Sequence, residues 1–358
     1  MKDILSGKTV LVTGGSGSIG SEIVRQALAQ SAGKVIVFSR DEIKHFLMKR
    51  SILDNRLQTV IGDIRDLRSI ERIFDRNKID VIYHAAAMKH VVMCEEFPLE
   101  TVATNINGTQ NVVDLAIRYN VPKMITISTD KAARPVNVMG ATKFIAERIT
   151  LNANKVCGHN QAFSCVRFGN VANSRGSVIP VFVDHLLTNT PLQITDPEVT
   201  RFIIEIPDAV SLIIKATEYT QGGEIFILKM KALRLGDLVD VMLNGIAPRL
   251  NITKEDIKVS ITGLVPGEKL HEEMINDWEY SQIYELDGMY VVLTNNGHHE
   301  LCPAMSKVGQ CKYNSKSVEL ICLEEIEGIV VKYLRSRSLD LHATGISPKL
   351  AVLSSRYE

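Results

Sequence analysis

The first 170 residues alternate short apolar runs with amphipathic stretches, and few folds accommodate such a pattern. The runs are rich in Val and Ile and apolar on both faces, as in strands buried within a parallel sheet. They predict strands at residues 8–14, 34–40, 57–63, 80–87, 123–129 and 163–170. Helical patterns fall between them, near residues 18–30, 41–53, 66–76, 98–119 and 137–153. The alternation predicts an α/β fold with a doubly wound parallel sheet, the Rossmann arrangement, joined by right-handed crossovers.

The alternation ends after residue 170, where prolines begin to separate shorter elements. Helical patterns recur near residues 179–188, 207–218, 235–243 and 321–334. We therefore predict a Rossmann domain at residues 1–170 and a smaller mixed α/β domain at residues 171–340, with some chain crossing between them. Residues 341–358 are expected to form a weakly ordered tail.

The amino-acid composition limits the classes of molecule that the protein is expected to bind. Lys plus Arg equals Asp plus Glu, which gives a formal net charge of zero, and no basic block predicts nucleic acid or a membrane surface. No segment approaches the roughly 20 apolar residues that a membrane span needs. The six cysteines show no paired framework and no signal peptide precedes them, so we expect reduced thiols in a cytoplasmic protein. A small-molecule partner is favoured.

One cluster contains residue types that bind zinc: His298, His299, Cys302 and Cys311. It lacks both the tight cysteine pair and the histidine pair at helical spacing that zinc sites use. We predict no metal site.

A glycine-rich segment, "VLVTGGSGSIGSEI", joins the first strand to the first helix. Gly14, Gly17 and Gly20 allow a tight turn and a close approach of the backbone to a pyrophosphate, which the helix N-terminus then attracts. This placement predicts a dinucleotide site that also includes Ser16, Ser18 and Ile19.

The end of the second strand selects the cofactor. Ser39 and Arg40, with Lys44 one turn later, suit the 2′-phosphate of NADP. Asp41 comes one place late for the ribose of NAD, so NAD stays possible, and a solvated helix start is the alternative for Arg40 and Lys44. Five further residues are expected beside the cofactor: Asp63 and Ile64 at the adenine, and the small Ala85, Ala86 and Ala87 after the fourth strand.

The segment "STDKAARPVNVMGATK" contains the candidate catalytic residues. Asp130 and Lys131 follow the fifth strand at the sheet edge where α/β proteins bind ligands. Burial would lower the pKa of Lys131 and raise that of Asp130, which suits a base and an acid. Lys143 ends the segment, but Met139 stands four residues earlier, where short-chain dehydrogenases have a tyrosine, and it cannot transfer a proton.

The chain resembles the extended short-chain dehydrogenase/reductases, and more narrowly the bacterial UDP-N-acetylglucosamine 4,6-dehydratases of polysaccharide and nonulosonate biosynthesis. The matching segments, between residue 13 and about residue 273, are "TGGSGSIGSE", "FSRDE", "GDIRD", "HAAAMKHV", "TNINGTQNV", "STDKAARPVNVMGATK", "RFGNVANSRGSVIPVF", "TDPEVTRF" and "PGEKLHEE".

The resemblance implies oxidation at carbon 4, loss of water across carbons 5 and 6, and return of hydride to carbon 6, with a tightly bound NADP regenerated each turnover. It assigns Lys131 as base, Asp130 as acid and Lys143 as a ligand of the nicotinamide ribose. Met139 fills the space of the tyrosine. Thr129, Asp130, Lys131 or a water remain candidates for deprotonating the carbon 4 hydroxyl. We expect retained configuration at carbon 5.

The resemblance also implies that the second domain binds the UDP-N-acetylglucosamine substrate, and that the protein forms a homo-oligomer. The substrate residues it indicates are Lys89, which would also lie near the cofactor, Asn170, Val178, Ile179, Thr195, Arg201 and Glu268. For Arg201 and Glu268 a surface ion pair is the alternative. For the whole chain, the alternatives are a nucleotide-sugar 4-epimerase or 4-ketoreductase, and a non-catalytic NADP-binding module.

Overall fold

The computed structural model describes residues 4–174, 176–294, 304–309 and 312–344, with side chains given through residue 337. The four His and Cys residues weighed above as zinc ligands lie outside the described residues, as does most of the predicted tail. Among the residues described, no cluster of His, Cys, Asp or Glu could hold a metal ion. None of the described helices is long and apolar enough to cross a membrane.

Fifteen strands and twelve α-helices are present in the described ranges. The strands are β1 (Thr9–Thr13), β2 (Lys34–Ser39), β3 (Leu57–Ile61), β4 (Val81–His84), β5 (Lys123–Ile127), β6 (Ala162–Arg167), β7 (Asn170–Val171), β8 (Leu192–Ile194), β9 (Thr200–Ile204), β10 (Glu224–Leu228), β11 (Lys231–Arg234), β12 (Val259–Ile261), β13 (Ile283–Leu286), β14 (Met289–Leu293) and β15 (Ser306–Lys307). The helices are α1 (Ser18–Ala29), α2 (Glu42–Ser51), α3 (Leu67–Arg76), α4 (Val91–Glu96), α5 (Pro98–Val102), α6 (Gly108–Arg118), α7 (Val138–Asn152), α8 (Val178–Thr188), α9 (Ile206–Tyr219), α10 (Leu235–Val241), α11 (Ala247–Arg249) and α12 (Leu323–Thr344).

The chain divides into two compact units. The first unit consists of Met1–Gly169, Ile206–Lys229 and Glu273–Tyr313. Its last two segments therefore come from the part of the chain that was assigned above to the second domain. The second unit consists of Asn170–Glu205, Met230–Glu272 and Asn314–Glu358.

One ten-stranded sheet runs through the first unit, in the order β15-β13-β14-β10-β6-β5-β4-β1-β2-β3. The seven neighbouring strands β10, β6, β5, β4, β1, β2 and β3 are parallel, and β14, β13 and β15 add an antiparallel edge. The order 3-2-1-4-5-6 within it is that of a doubly wound sheet, which confirms the predicted fold class. The chain reverses direction across the sheet between β1 and β4, and ligands of such sheets bind at the carboxyl ends of the strands on either side of that point.

Several predicted elements differ from the structure; the strand expected at residues 80–87, for example, is Val81–His84. The helix expected at residues 98–119 is interrupted by a π-helical stretch, Ala103–Asn107, between α5 and α6. Its Asn105 side chain bonds the Met88 backbone and the Thr142 hydroxyl, contacts with distant residues that helical periodicity does not reveal. The strand expected at residues 163–170 ends at Arg167, and Asn170 begins the separate strand β7.

The second unit contains a three-stranded sheet, β11-β9-β7, and a parallel pair, β12 and β8. Helices α8, α10 and α12 contribute apolar side chains to one core with strands β8, β9 and β11. Residues of this core include Phe182, Leu186, Leu238, Met242 and Ile326, all buried. Helix α8 begins at Val178, directly after Ser177, so its N-terminus lies close in sequence to β7.

Candidate functional site

The glycine turn between β1 and α1 contains two close backbone approaches, at Gly14 and at Gly20. Gly14 has a φ of +67°, and a Cβ there would lie 2.7 Å from the Ala86 Cα. At Gly20 a Cβ would lie 2.3 Å from the Gly14 carbonyl oxygen. Gly17 is the N-cap of α1 and supplies no side-chain cap, while Ser18 and Ile19 form the first helical turn with Gly20. A turn without side chains beside a helix N-terminus fits the pyrophosphate of a dinucleotide.

Ser16, Ser39 and His45 form a chain of hydrogen bonds between the glycine turn, the end of β2 and α2. The Ser16 and Ser39 hydroxyls are 2.8 Å apart, and the Ser39 hydroxyl is 2.7 Å from His45 Nε2. Burial lowers the pKa of His45, although hydrogen bonding to the Ser39 carbonyl opposes this shift. The His45 imidazole thus holds Ser39 in place.

Each charged residue after β2 that was considered for cofactor binding has an ionic partner. Arg40 lies 3.5 Å from the Asp63 carboxylate, and its side chain is 55% exposed. Burial of Asp63 opposes its ionisation, but hydrogen bonds from Arg65 outweigh burial and lower the pKa. Asp41 caps α2 through the Lys44 N–H, and the Lys44 ammonium lies 2.6 Å from the same carboxylate. Asp41 is therefore engaged by its own helix.

The remaining predicted cofactor residues line the same strand ends. Ile64 is buried and lies where a Cβ on Gly108 would contact it at 2.6 Å. Ala85 donates its N–H to the Thr13 carbonyl oxygen at 3.1 Å, which places the loop after β4 beside the glycine turn. The loop continues through Ala86 and the exposed Ala87 to Lys89, which is also exposed.

The turn at residues 129–133, which follows β5, holds the predicted acid and base together. The Lys131 ammonium donates to Asp130 Oδ1 at 3.0 Å. The Thr129 hydroxyl donates to the same oxygen at 2.7 Å, and the Lys131 N–H at 2.9 Å. The Asp130 side chain is fully buried and that of Lys131 is 18% exposed. Asp130 Oδ2 is buried and accepts no hydrogen bond within the described part of the chain.

Helix α7 places Met139 and Lys143 on one buried face. The Lys143 ammonium donates to the Ile127 carbonyl oxygen at 2.6 Å. Burial lowers the pKa of Lys143, while Cys165 and Glu147 act in the opposite direction. Met139 is 4% exposed, so its thioether is packed in the interior. Burial, with a smaller contribution from Lys143, lowers the pKa of nearby His84 to about 3.

Helix α7 begins in direct contact with the 129–133 turn. Asn137 caps the helix by accepting from the Gly140 N–H at 2.7 Å. A Cβ at Gly140 would lie 2.3 Å from the Lys131 carbonyl oxygen. A residue without a side chain is thus required where the helix meets the turn.

A pocket of about 250 Å³ in the second unit brings together distant segments of its chain. Six of the predicted substrate residues line it: Asn170, Val178, Ile179, Thr195, Arg201 and Glu268. The remaining predicted substrate residue, Lys89, belongs to the first unit. The pocket also has apolar walls that include Phe182 and Leu235.

Arg201 and Glu268 form the charged part of this pocket. The Arg201 guanidinium donates to Glu268 Oε1 at 2.8 Å and to the Thr200 carbonyl oxygen at 2.9 Å. The Thr195 hydroxyl also donates to Glu268 Oε1, at 3.1 Å. Both charged side chains are mostly buried, at 15% and 20% exposure, so the alternative of a surface ion pair describes them poorly.

The sequence analysis missed several residues of these sites. Ser177 and Gln193 line the pocket, and Ser177 is the N-cap of α8, which a serine before "VIPVF" could have signalled. In the first unit, His84 lies between the hydroxyls of Thr13 and Thr109, at 2.7 and 3.0 Å. Its partners are distant in sequence, so no local signal reveals them.

Comparison with known proteins gives a consistent assignment. The sequence profile of the family described as "Polysaccharide biosynthesis protein" matches residues 10–294. An uncharacterized membrane protein of Methanocaldococcus jannaschii is 43% identical over 330 residues, covering 91% of this chain and 97% of that protein. A Campylobacter jejuni protein named UDP-N-acetylglucosamine 4,6-dehydratase (inverting) is 38% identical over 292 residues, covering 81% of this chain and 84% of that protein. A Rickettsia akari protein named UDP-glucose 4-epimerase is 34% identical over 288 residues, covering 79% and 82%.

Solved structures agree with this comparison. Pen from Bacillus thuringiensis superimposes with a TM-score of 0.85 at 36% identity, covering 92% of this chain and 98% of that one. A dTDP-glucose 4,6-dehydratase from Streptomyces venezuelae with NAD bound gives 0.63 at 24% identity, covering 73% and 86%, and shows the fold alone. The chain belongs to the polysaccharide biosynthesis protein family of extended short-chain dehydrogenase/reductases.

Proposed function

We propose that this chain is a nucleotide-sugar-modifying enzyme of the dehydratase and epimerase class, and specifically a UDP-N-acetylglucosamine 4,6-dehydratase. The observation that carries the proposal is the buried Asp130 carboxylate bonded to the Lys131 ammonium at the end of β5. Elimination of water needs an acid and a base side by side, and this pair supplies both. The relative from Campylobacter jejuni with the corresponding name supports the substrate.

The glycine turn and the end of β2 would hold a nicotinamide dinucleotide. When bound, this cofactor supplies hydride acceptance and return. We propose NADP, because Asp41 is engaged in capping α2 and the exposed Arg40 guanidinium can bind a 2′-phosphate. The Streptomyces structure contains NAD, which keeps NAD as the alternative. Lys143 would contact the nicotinamide ribose.

Asp130 and Lys131 would carry the protons. Asp130 takes up the proton of the carbon 4 hydroxyl during the oxidation and then gives it to the departing carbon 6 hydroxyl, which leaves as water. Lys131, after its ammonium group has released one proton to solvent, removes the proton from carbon 5. The protons of the Lys131 ammonium group exchange with solvent, and one of them is then returned to carbon 5. The protons balance when the proton released from the carbon 4 hydroxyl reaches Asp130. The Thr129 hydroxyl, bonded to Asp130 at 2.7 Å, offers a path for that proton. This route for deprotonating the carbon 4 hydroxyl needs no tyrosine phenol, which is consistent with methionine at position 139.

The pocket of the second unit would bind the UDP part of the substrate. Arg201 can pair with the phosphates, and the N-terminus of α8, with Val178 and Ile179 in its first turn, attracts the same charge. Glu268 can accept from the two ribose hydroxyls, and Thr195 is expected near the uracil. Asn170 would contact the pyrophosphate or the sugar, and Lys89 of the first unit the sugar and cofactor.

A second candidate function is 4-epimerisation, which the name of the Rickettsia relative favours. Met139 argues against it, because epimerisation commonly relies on the phenol of the tyrosine. Retention at carbon 5 stays a prediction, and the word "inverting" in the name of the Campylobacter relative favours the opposite outcome. Self-association and a cytoplasmic location also stay predictions.

Incubation of the purified chain with UDP-N-acetylglucosamine and catalytic NADP, followed by mass spectrometry, tests the proposal. A dehydratase gives a product lighter by one water, whereas an epimerase leaves the mass unchanged. Cofactor binding without conversion of any UDP-sugar would instead support the non-catalytic module.

A further inference from the structure

A buried ionic network lies behind the 129–133 turn in the first unit. Arg167 of β6 donates to both carboxylate oxygens of Glu147, each at 2.7 Å. It also donates to both oxygens of Glu279, at 2.7 and 2.8 Å. Arg167 and Glu147 are fully buried and Glu279 is 3% exposed. Burial favours the neutral form of Arg167, but the two carboxylates outweigh burial and raise its pKa.

The network reaches one end of the turn through Ser128. The Ser128 hydroxyl donates to Glu147 Oε1 at 2.5 Å, and both side chains are buried. Ser128 directly precedes Thr129, so this bond fixes the point where the chain leaves β5. Glu147 also lies one helical turn after Lys143 on the same face of α7, and its charge raises the pKa of that lysine against the effect of burial.

The network reaches the other end of the turn through Asn276. The Asn276 N–H and side-chain amide both donate to Glu279, at 2.8 and 3.1 Å. The Asn276 Oδ1 accepts from the Arg134 N–H at 2.8 Å. Arg134 directly follows the turn and has a φ of 45°, a conformation that a residue with a side chain seldom adopts unless its surroundings hold it there.

Resting on the proposed function, we propose that Ser128, Glu147, Arg167, Asn276 and Glu279, called the buried network below, are positioning residues that hold both ends of the turn carrying Asp130 and Lys131. Fold stability alone does not explain this arrangement. A buried guanidinium between two carboxylates bears a large desolvation penalty, and apolar residues of similar volume are often as stabilising. Attachment of one network to both flanks of the catalytic turn explains its presence, because misplacement of a catalytic group by about 1 Å can cost about 100-fold in rate.

Ser128→Ala tests the proposal with little damage to the network, because Glu147 keeps both bonds to Arg167. The matched control is Thr126→Val, which removes another buried hydroxyl two residues earlier, in β5, that also bonds a residue of α7. Thr126 bonds Thr150 and has no bond to the buried network. Ser128→Thr keeps the hydroxyl and should restore the wild-type behaviour.

Two readouts are needed. The first is kcat with UDP-N-acetylglucosamine, expected to fall at least about tenfold in Ser128→Ala, while KM and the Kd of NADP stay within about twofold. The second is hydrogen exchange of the backbone amides of residues 130–134, expected to accelerate about tenfold in Ser128→Ala and, at Arg134, in Asn276→Ala. Thr126→Val should change neither readout.

The proposal is overturned if Ser128→Ala matches Thr126→Val in amide exchange and in kcat, or if kcat falls in both variants alike. Amide exchange does not depend on turnover. If the wild-type chain fails to convert UDP-N-acetylglucosamine, the proposed function fails, while the exchange of residues 130–134 still decides whether the buried network holds the turn.

Discussion

The Lys131 ammonium group donates a 3.0 Å hydrogen bond to Asp130 Oδ1 at the carboxyl end of β5. Three donors converge on that oxygen, while Oδ2 of the same buried carboxylate accepts no hydrogen bond from the described residues. An ion pair in this environment bears a desolvation cost. The pair lies at the edge of a doubly wound sheet where ligands bind, and a role in the reaction would explain why such a pair is present there.

Replacing Lys131 tests the base directly. Lys131→Ala is expected to lower the rate of dehydration by about 100-fold to 10,000-fold, the usual contribution of a positioned base. NADP affinity, measured by titration calorimetry, should stay within about twofold, because the residue is assigned to the substrate. The control is the exposed Lys155→Ala, which should behave as wild type. Equal activity of the two variants would remove Lys131 as the base.

Met139 is expected to pack and not to react. Met139→Leu conserves the volume of a buried side chain, so it should cost less than about 1.5 kcal/mol of stability and leave kcat within about threefold. Met139→Ala leaves a cavity and should cost about 2 to 5 kcal/mol in denaturant unfolding. A collapse of turnover in Met139→Leu, with stability intact, would mean that the thioether takes part in the reaction.

Gly140 offers a test of how tightly α7 contacts the 129–133 turn. Alanine usually stabilises a helix interior by about 1 kcal/mol relative to glycine. At Gly140 the added Cβ would lie 2.3 Å from a backbone carbonyl oxygen, so Gly140→Ala should lower the melting temperature. Gly328, in α12, meets nothing within 4 Å, and Gly328→Ala should keep or raise it. Equal responses of the two variants would contradict the described contact.

His84 predicts a pH dependence of stability. Its pKa is lowered from the ordinary 6.5 to about 3 in the folded protein, so between these values the unfolded chain binds more protons than the folded one. Stability from this group is present above pH 6.5 and is lost as the pH falls towards 3, by about 1.4 kcal/mol per pH unit. His84→Gln should remove that part of the slope in urea unfolding between pH 4 and 6. An unchanged slope would mean that His84 is protonated in the fold.

The fold of the first 170 residues was predictable because a local sequence pattern indicates most of its strands and helices. Buried parallel strands are continuous apolar runs, and the glycine turn joins β1 to α1 where the motif places it. Segments Ile206–Lys229 and Glu273–Tyr313 gave no such sign that they belong to the first unit. Their strands β10 and β14 are only five residues long, and β10 pairs with β6, which is distant in sequence, so no local pattern indicates the pairing.

Six of the predicted substrate residues line one pocket, but the contacts among the predicted residues were not foreseen. Motif resemblance named Arg201 and Glu268, but not the bond between them, because 67 positions separate the two residues. Arg40 was expected either to bind the cofactor or to lie at a solvated helix start, and neither expectation included the Asp63 carboxylate, which lies 3.5 Å away. The Glu147–Arg167–Glu279 group was not foreseen, since buried charges paired across 112 positions have no local periodicity.

The most direct test of the account is the reaction of UDP-N-acetylglucosamine in deuterated water, followed by NMR and mass spectrometry of the product. The account predicts a 4-keto-6-deoxy sugar with one deuterium at carbon 5, formed by wild type and not by Lys131→Ala. The coupling constants of that product also report the configuration at carbon 5. A product that keeps its carbon 6 hydroxyl, or one without deuterium at carbon 5, would contradict it.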